Sequence, residues 1–377
     1  MCKEEQKTIA IVINTTWNIF NFRLGLLKAL QHEGYRVIAI APSDAYVQRL
    51  EDEGIECFDI QMNNKGTNPI EDIRLIFDFY RLYKKCSPDV ILQYTIKPNI
   101  YGSFAAGLLG IPVISNISGL GTVFLNDSFS SKVARFLYRV ALKVPKKVFF
   151  QNSHDKALLV SLHLVKEKKA DVVAGSGIDT QKFAPRIRER LSRKRSFLFI
   201  GRLIKDKGLI EYIEAARELS KEHAAVFYVL GGYYANNPSS IEQKQMQMWE
   251  REGVVTYLGE TDEVAEVIAS VDCVVLPSYR EGLSRVLLEA ASMAKPLVTT
   301  RVPGCQEVVE DGITGYLCQA RSSDALAMAM KNIIALSSSE CIAMGQRGRE
   351  KMKQEFDEKK VILKYKEALS EIFQHQS

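Results

Sequence analysis

Short apolar runs alternate with amphipathic runs along nearly the whole chain, and this alternation constrains the fold more than any other feature. The apolar runs are too short for helices and rich in β-branched and aromatic residues, so they predict buried strands. The stretches between them have helical periodicity, which makes the rhythm βα and predicts a mostly parallel sheet with helices on both faces. In the first half the predicted strands are "TIAIVIN" (8–14), "RVIAIAP" (36–42), "DVILQY" (89–94), "PVISNI" (112–117) and "KVFFQN" (147–152).

The alternation of predicted strands and helices is interrupted at about 173–196, a basic segment that contains glycine and serine, and resumes after it. Because 377 residues are too many for one efficient core, two domains are expected. We predict two Rossmann-like, doubly wound α/β domains facing a cleft, where the carboxyl ends of both sheets bind ligands. The predicted boundaries are 1–172 for the N-terminal domain, 173–196 for a linker, 197–356 for the C-terminal domain and 357–377 for a helix that could cross back to the first domain. The second series of strands is "FLFIGRL" (197–203), "AVFYVLGG" (225–232), "VVTYLG" (254–259), "CVVLPS" (273–278), "PLVTT" (296–300) and "GYLC" (315–318).

Composition indicates a globular protein of the cell interior. A formal net charge of +5 is small for a chain of 42.5 kDa and does not favour nucleic acid as a partner. The seven cysteines are scattered and odd in number, without a CxxC pair, which predicts reduced thiols in a cytosolic protein and no zinc site. The apolar part of the N-terminus, 9–13, is too short for a signal peptide.

One uncharged stretch, 98–126, raises the question of a membrane span. Its 29 residues are long enough to cross a bilayer. However, Pro112, five glycines and several Asn and Ser residues make a poor spanning helix. The sequence therefore favours a buried helix and a buried strand joined by a turn at 110–112.

The motif "FIGRLIKDKG" (199–208) places two cations directly after a predicted strand. Gly201 turns the chain, and Arg202 and Lys207 precede a helix that is expected to start near Gly208. A guanidinium, an ammonium and the N–H groups of a helix N-terminus together suit a diphosphate. The alternative is a solvated basic loop without a ligand.

The motif "PSYREGLSRVLLEA" (277–290) carries two carboxylates eight residues apart, Glu281 and Glu289. Gly282 lets the backbone pass close to a ligand, and a helix is expected from about Leu283. The N–H groups of its first turn would be available to an anion or a sugar hydroxyl. Carboxylates accept hydrogen bonds from hydroxyls, so both glutamates could bind a sugar. The alternative is two surface glutamates on an amphipathic helix.

These two motifs, with "VPGCQEVVEDGITGYL" (302–317), resemble the C-terminal half of the retaining glycosyltransferases of family 4, which have the GT-B two-domain fold. The resemblance implies that Arg202 and Lys207 hold the diphosphate of a nucleotide-sugar donor, that Glu281 lies near the donor hexose, and that Glu289 binds the ribose. It further implies donor contacts for Gly201, Gly282, Leu283, Ser284, Arg285 and Gly304.

The implied reaction moves a hexose or N-acetylhexosamine from a nucleotide sugar, expected to be UDP-linked, with retention of configuration. No cofactor is implied, and no Asp-x-Asp occurs in the chain, so Arg202 and Lys207 would replace the metal that neutralises the leaving diphosphate. Two alternatives remain open: a UDP-sugar 2-epimerase of the same fold, and a non-catalytic subunit that binds a nucleotide sugar or a glycan.

The N-terminal half resembles a branch of bacterial enzymes that extend undecaprenyl-diphosphate-linked sugars in surface polysaccharide assembly, on the motifs "WNIFNFR" (17–23) and "GLGT" (119–122). The resemblance implies a lipid-linked saccharide acceptor and places Ser118 where many relatives have a histidine. The alternatives are a helix-surface position for Arg23 and helix N-caps for Asn18 and Asn21. The implied acceptor-side residues are Asn18, Asn21, Arg23, Ser118, Gly119 and Gly121.

A lipid acceptor implies a protein peripheral to the inner face of the cytoplasmic membrane. The segment 131–147, "SKVARFLYRVALKVPKK", has the basic, amphipathic character of helices that lie on anionic lipid. The alternative is a solvated helix packed on the sheet.

Overall fold

Seven parallel strands form the first sheet in the part of the chain that the structure, a computed structural model, describes: residues 6–63, 68–120, 129–186, 191–192, 194–221, 225–234 and 237–374. The strand order is β3-β2-β1-β4-β5-β6-β7, so the chain reverses direction across the sheet between β1 and β4. Ligands of doubly wound sheets bind at the carboxyl ends of the strands near such a point. The strands are β1 (Thr8–Val12), β2 (Arg36–Ala41), β3 (Glu56–Asp59), β4 (Val90–Tyr94), β5 (Val113–Ile117), β6 (Lys147–Phe150) and β7 (Ala170–Val172).

Helices cover both faces of this sheet because alternate strand residues point to opposite sides. Ala10 and Val12 of β1 join one apolar core cluster, whereas Ile9 and Ile11 join another. The helices are α1 (Thr16–Phe22), α2 (Leu24–His32), α3 (Val47–Asp52), α4 (Pro69–Cys86), α5 (Ser103–Leu109), α6 (Phe129–Ala141) and α7 (Ser153–Ser161), with a π-helical turn at Pro98–Gly102 and a 3-10 turn at Glu167–Lys169.

The second sheet has six parallel strands within the described residues, in the order β10-β9-β8-β11-β12-β13. This order repeats that of the first six strands of the first sheet, which confirms the predicted pair of Rossmann-like domains. The strands are β8 (Arg195–Ile200), β9 (Ala225–Leu230), β10 (Thr256–Tyr257), β11 (Cys273–Leu276), β12 (Leu297–Thr300) and β13 (Gly315–Cys318). The helices are α8 (Leu209–Ser220), α9 (Gln243–Arg251), α10 (Val264–Ala269), α11 (Arg285–Ser292), α12 (Ser323–Ala335), α13 (Ser338–Lys351) and α14 (Glu358–Gln374), with a 3-10 turn at Lys205–Lys207 and a π-helical turn at Met352–Phe356.

The chain divides into two compact units. The first unit comprises residues 1–176 and 358–377, and the second unit comprises residues 177–357. The predicted linker, 173–196, is therefore split between them. Two contacts attach its described part after 176 to the second unit: Ile178 forms a β-bridge with Asp357, and the Phe183 carbonyl accepts a hydrogen bond of 2.8 Å from Ser292 Oγ.

The C-terminal helix α14 belongs to the first unit, although it follows the second unit in the chain. The buried side chains of Val361, Tyr365 and Leu369 extend the core cluster that contains Ile9 and Ile11. The Tyr365 hydroxyl also accepts a hydrogen bond of 3.0 Å from Asn116 Nδ2 in β5. The prediction that this helix crosses back to the first domain is confirmed.

The uncharged stretch is part of the first unit, and its described residues, 98–120, do not form one long helix. They contain the π-helical turn, α5 and β5, and the C-cap of α5 is Gly110 in the left-handed conformation (φ +69°). In the described parts of the chain no helix has the length and apolar character needed to cross a bilayer.

Packing of α14 should be measurable as stability of the first unit. Leu369→Ala removes a side chain that is 1% exposed and is expected to lower the free energy of unfolding by about 2–5 kcal/mol. Leu363→Ala on the same helix is the matched control, because Leu363 is 55% exposed. The measurement is the urea midpoint, with hydrogen exchange of β1 and β4 as the local readout. Equal effects of the two substitutions would show that the helix does not contribute to the core.

Candidate active site

The loop after β8 brings the first cationic motif against the end of β11. Gly208 has φ +76°, and a Cβ there would lie 2.8 Å from Cγ of Pro277, so only glycine fits. The Tyr279 amide donates to the Asp206 carbonyl at 2.9 Å, which joins the two loops directly. Helix α8 begins at Leu209, immediately after Gly208, as the sequence predicts.

Lys207 and Glu281 form an ion pair between Nζ and Oε1, although they are 74 residues apart in the chain. Both side chains are largely buried, at 18% and 13% exposure. A charge pair shielded in this way is held more firmly than a surface pair, which typically contributes less than about 1 kcal/mol. The structure thus brings together one predicted diphosphate ligand and one predicted sugar ligand.

Arg202 lies on the same loop, after Gly201, and its side chain is exposed. Its guanidinium carbon is 4.8 Å from the ring centroid of Tyr234, in the loop after β9. Within the described residues the Arg202 side chain has no ion-pair partner. The site therefore combines a cation already paired with a carboxylate and a second cation that is open to an anionic ligand.

Gly304 closes the turn that holds Glu281. Its φ is +82°, and a Cβ there would lie 2.7 Å from the Glu281 Cβ and still closer to the Glu281 carbonyl. The Glu281 amide donates to the Pro303 carbonyl at 3.1 Å, and the Ser284 amide donates to the Gly304 carbonyl at 2.9 Å. Glu307 caps the turn by accepting from the Gly304 amide at 2.7 Å.

This turn corrects the expectation for the start of α11. The helix begins at Arg285 with Ser284 as its N-cap, two residues later than the predicted start at Leu283. The Ser284 N–H is not available to a ligand, because the Gly304 carbonyl accepts it. The predicted donor residues Gly282 and Leu283 lie in the half-buried loop that precedes the helix.

Glu289 is buried, at 8% exposure, and lies one helical turn beyond Arg285. Arg285 Nε donates to Glu289 Oε1 at 2.8 Å, while Arg285 Nη1 donates to the Gly177 carbonyl at 2.6 Å. Burial raises the pKa of the Glu289 carboxyl, and the charge of Arg285 opposes this shift. Arg285 thus orients Glu289 and connects it to the segment that enters the second unit.

The sequence did not predict a role for Tyr279, which lies in the same loop as Glu281. The Tyr279 hydroxyl donates to Glu211 Oε1 at 2.6 Å, and the guanidinium carbon of Arg321 is 4.5 Å from its ring centroid. Arg321 has φ +61°, which is unusual for a residue other than glycine. No sequence signal identifies these three residues as a group, because they come from separate elements.

The predicted acceptor-side residues within the described part of the chain lie in the first unit, and they differ in burial and in hydrogen bonding. Arg23, at the junction of α1 and α2, is buried rather than on a helix surface, with its guanidinium carbon 4.5 Å from the Tyr94 ring centroid. Its Nε has no hydrogen-bond partner in the described residues, and Nη1 reaches only the Phe22 carbonyl, at 3.5 Å. Buried charge is costly, so an uncompensated arginine calls for an explanation.

Asn18 and Asn21 are half-buried on α1, but neither is its N-cap. Thr15 caps the helix by accepting from the Asn18 amide at 3.1 Å, whereas Asn21 Nδ2 donates to the Trp17 carbonyl at 3.0 Å. The alternative interpretation of both asparagines as N-caps is therefore wrong.

Ser118 and Gly119 follow β5 at the carboxyl edge of the first sheet. Ser118 Oγ donates to Asn116 Oδ1 at 3.2 Å, and the same Asn116 donates to Tyr365. Gly119 has φ +133°. Gly121 lies outside the described residues. The polar chain from Ser118 to the C-terminal helix was not expected, since Tyr365 is distant in sequence.

Comparison with known proteins assigns the family. Residues 194–335 match the family described as glycosyl transferases group 1, and residues 8–152 match the family described as glycosyl transferase 4-like. Each half of the chain thus matches a family of glycosyltransferases. The predicted resemblance and the predicted enzyme class are both confirmed.

Within the described residues no group of His, Cys, Asp and Glu side chains has a metal-binding arrangement.

Two curated relatives match over most of their length. The chain is 28% identical to the N,N'-diacetylbacillosaminyl-diphospho-undecaprenol alpha-1,3-N-acetylgalactosaminyltransferase of Campylobacter jejuni, over 82% of this chain and 85% of the relative. It is 24% identical to the UDP-Gal:alpha-D-GlcNAc-diphosphoundecaprenol alpha-1,3-galactosyltransferase of Escherichia coli, over 81% of this chain and 82% of the relative. Both are named as transferases and neither as an epimerase.

Solved structures confirm the GT-B fold. A glycosyltransferase of Rickettsia africae matches with a TM-score of 0.80 at 19% identity, covering 98% of this chain and 99% of that one. HepE of Anabaena, solved with UDP and glucose, matches with a TM-score of 0.79 at 18% identity, covering 97% of this chain and 100% of that one.

The turn at Gly304 provides a test of the site geometry. Gly304→Ala is expected to displace Glu281 and lower the rate of glycosyl transfer by about 100-fold, since a small displacement of a substrate-positioning group has effects of this size. Gly312→Ala is the matched control: Gly312 has φ +75°, but nothing lies within 4 Å of its added Cβ. Both substitutions introduce about 1–2 kcal/mol of left-handed strain, so thermal stability should fall in both. Equal transfer rates for the two variants would contradict the assigned geometry.

Proposed function

We propose that this enzyme is a retaining, metal-independent glycosyltransferase. It transfers a hexose or N-acetylhexosamine from a UDP-sugar to a lipid-linked saccharide in the assembly of a surface polysaccharide or glycan. The observation that carries the proposal is the Lys207–Glu281 pair, with the open cation Arg202 on the same loop. The names of the two curated relatives support a diphosphoundecaprenol-linked acceptor, and the name of the second supports a UDP-sugar.

In this proposal the donor diphosphate binds to Arg202 and Lys207. The guanidinium forks onto phosphate oxygens and the ammonium adds a point charge. Glu281 orients Lys207 and accepts hydrogen bonds from the donor hexose, and Glu289 accepts them from the ribose. Gly201, Gly282 and Gly304 allow the backbone to approach the donor, and Leu283 contacts it from the same loop as Gly282. Ser284 and Arg285 support the loop and Glu289.

The reaction breaks the bond between the anomeric carbon and the diphosphate oxygen, and the electron pair leaves with UDP. An acceptor hydroxyl forms the new bond on the same face of the sugar, and its proton passes to the departing diphosphate. Negative charge accumulates on that diphosphate, where preorganised cations lower the barrier most effectively. Arg202 and Lys207 supply this stabilisation.

The acceptor side of the proposal rests on Arg23. Its charge is buried, and its Nε lacks a hydrogen-bond partner in the described residues. The diphosphate of a lipid-linked acceptor would supply the missing counter-charge and bidentate acceptors. Asn18, Asn21, Ser118 and Gly119 line the same carboxyl edge and would contact the acceptor sugar, as would Gly121.

A lipid acceptor places the enzyme in the cytoplasm, peripheral to the inner face of the membrane. Helix α6 supports this localisation because Val133, Phe136 and Val140 are 42%, 64% and 37% exposed on one side. Lys132 and Arg139 flank this apolar stripe at helical spacing and are exposed too. Such helices lie in the interface of anionic bilayers.

Three substitutions test the donor site. Arg202→Ala, Lys207→Ala and Glu281→Ala are each expected to lower kcat by about 100- to 1,000-fold, the usual cost of removing one group that stabilises the transition state. Lys205→Ala is the matched control, because Lys205 is an exposed cation of the same loop. The assay uses a UDP-sugar and a synthetic lipid-linked saccharide, with the product anomer determined by NMR and with chelator present. Wild-type rates in all three variants would reject the proposal.

Arg23→Met tests the acceptor site while keeping an apolar stem against Tyr94. The loss of charge-assisted hydrogen bonds, about 1.5–3 kcal/mol, is expected to raise KM for the acceptor by roughly 10- to 100-fold. KM for the donor should not change. Arg36→Met is the control, since Arg36 is an exposed residue of the same unit that pairs with Glu56. An unchanged acceptor KM in a folded Arg23→Met protein would contradict this role.

A further inference from the structure

The first unit contains a basic cavity that the donor and acceptor sites do not use. It has a volume of about 780 Å³ and lies between the C-terminal end of α6 and the segment that joins α7 to β7. Leu142 and Val165 form apolar parts of its wall. These segments immediately precede β6 and β7, so the cavity is at the amino edge of the sheet, opposite the carboxyl edge with Arg23 and Ser118. Its polar lining consists of Arg139, Lys143, His163, Lys166, Glu167 and Lys169.

The charge of this cavity is strongly positive. Arg139, Lys143, Lys166 and Lys169 contribute four cations, and the single lining carboxylate, Glu167, is paired with Lys156 at 2.8 Å. Lys143 and Lys166 are exposed and form no ion pair within the described residues. Burial lowers the pKa of Lys169, and the charges of Lys146, Lys166 and Lys168 lower it further. Mutual repulsion of this kind is relieved by a bound anion.

Hydrogen bonds from Lys169 to the backbone hold the two sides of the cavity together. Lys169 Nζ donates to the carbonyls of Lys143, at 2.8 Å, and Pro145, at 2.7 Å, which leaves one N–H. His163 has the left-handed φ of +54°, which turns the chain between Leu162 and Leu164. A cation held by two carbonyls, with the exposed Lys143 and Lys166 around it, suits the several oxygens of a phosphate group.

The surroundings of the cavity indicate where that phosphate comes from. Arg139 lines the cavity and is three residues from Phe136 and one residue from Val140, so the cations and the apolar stripe of α6 are adjacent. A free phosphate ion would not use the apolar stripe, whereas a phospholipid presents an anionic headgroup beside acyl chains. The apolar stripe beside the cations therefore favours a lipid.

We propose that this cavity binds the phosphate of an anionic phospholipid headgroup and anchors the C-terminal end of α6 to the bilayer. This inference rests on the proposed membrane localisation and deepens it. Since α6 has 13 residues, its two ends are about 20 Å apart. Helix α6 starts after β5, near the acceptor edge, and ends at the cavity. The anchoring lipid and the lipid-linked acceptor thus occupy separate positions along one helix.

The test is vesicle flotation of the full chain carrying Lys143→Glu and Lys166→Glu. Against vesicles of phosphatidylcholine and phosphatidylglycerol in equal amounts, binding is expected to fall by about 100-fold or more, because each basic residue near such a surface contributes a factor of about five. The charge-matched control carries Lys244→Glu and Arg251→Glu, two exposed cations of α9. Equal binding of the cavity variant and the control would overturn the proposal.

A soluble-ligand experiment distinguishes a lipid site from a general phosphate site. Short-chain phosphatidylglycerol below its micelle concentration should raise the thermal stability of the wild type and not that of the cavity variant. Inorganic phosphate at the same concentration should raise it less. An equal effect of phosphate would overturn the lipid assignment.

Transfer to a water-soluble acceptor analogue separates this inference from the proposed function. The cavity variant should retain the wild-type rate with that acceptor, whereas Lys207→Ala should not. Loss of the rate in the cavity variant would contradict an anchoring role. A chain that binds anionic vesicles through the cavity but transfers no sugar would refute the proposed function and leave the cavity assignment standing.

Discussion

The ion pair between Lys207 and Glu281 is the interaction on which the candidate active site depends. It joins the loop after β8 to the loop after β11. The first loop can approach Pro277 only because Gly208 has no side chain, and Gly304, in the loop after β12, leaves room for Glu281 for the same reason. An ammonium and a carboxylate this shielded are expensive to desolvate separately, so each holds the other in place. In the proposed function, a bound diphosphate shares Lys207 with Glu281, and the exposed Arg202 provides a second cation.

In the first unit the corresponding feature is a buried arginine: Arg23 has no carboxylate partner in the described residues. Tyr94 covers one face of its guanidinium, and a polar chain from Ser118 through Asn116 to Tyr365 lies at the same carboxyl edge. The last part of this chain comes from α14, the final helix. The C-terminal helix therefore contributes both to the core and to the polar edge of the unit that it joins.

Much of this protein could be predicted from its sequence because the relevant signals are local. Strand-length apolar runs and the helical stretches between them suffice for two parallel sheets. The positions of Gly201, Arg202, Lys207 and Glu281 just after strands predicted one candidate site, since carboxyl ends of parallel strands meet at one edge. The prediction for α11 was wrong because a loop carbonyl binds a backbone N–H that was expected to be available. The Ser284 amide donates to the Gly304 carbonyl, and α11 starts at Arg285, two residues later than predicted.

The sequence by itself determined the alternation of strands and helices, the enzyme class and the candidate residues for a donor site, because these depend on periodicity and on motifs of contiguous residues. Only the tertiary structure decided that Lys207 pairs with Glu281, that Arg23 is buried against Tyr94, and that α6 ends beside a basic cavity. Each of these depends on contacts between segments far apart in the chain, and the burial that makes a charge costly or useful exists only once those segments have packed together.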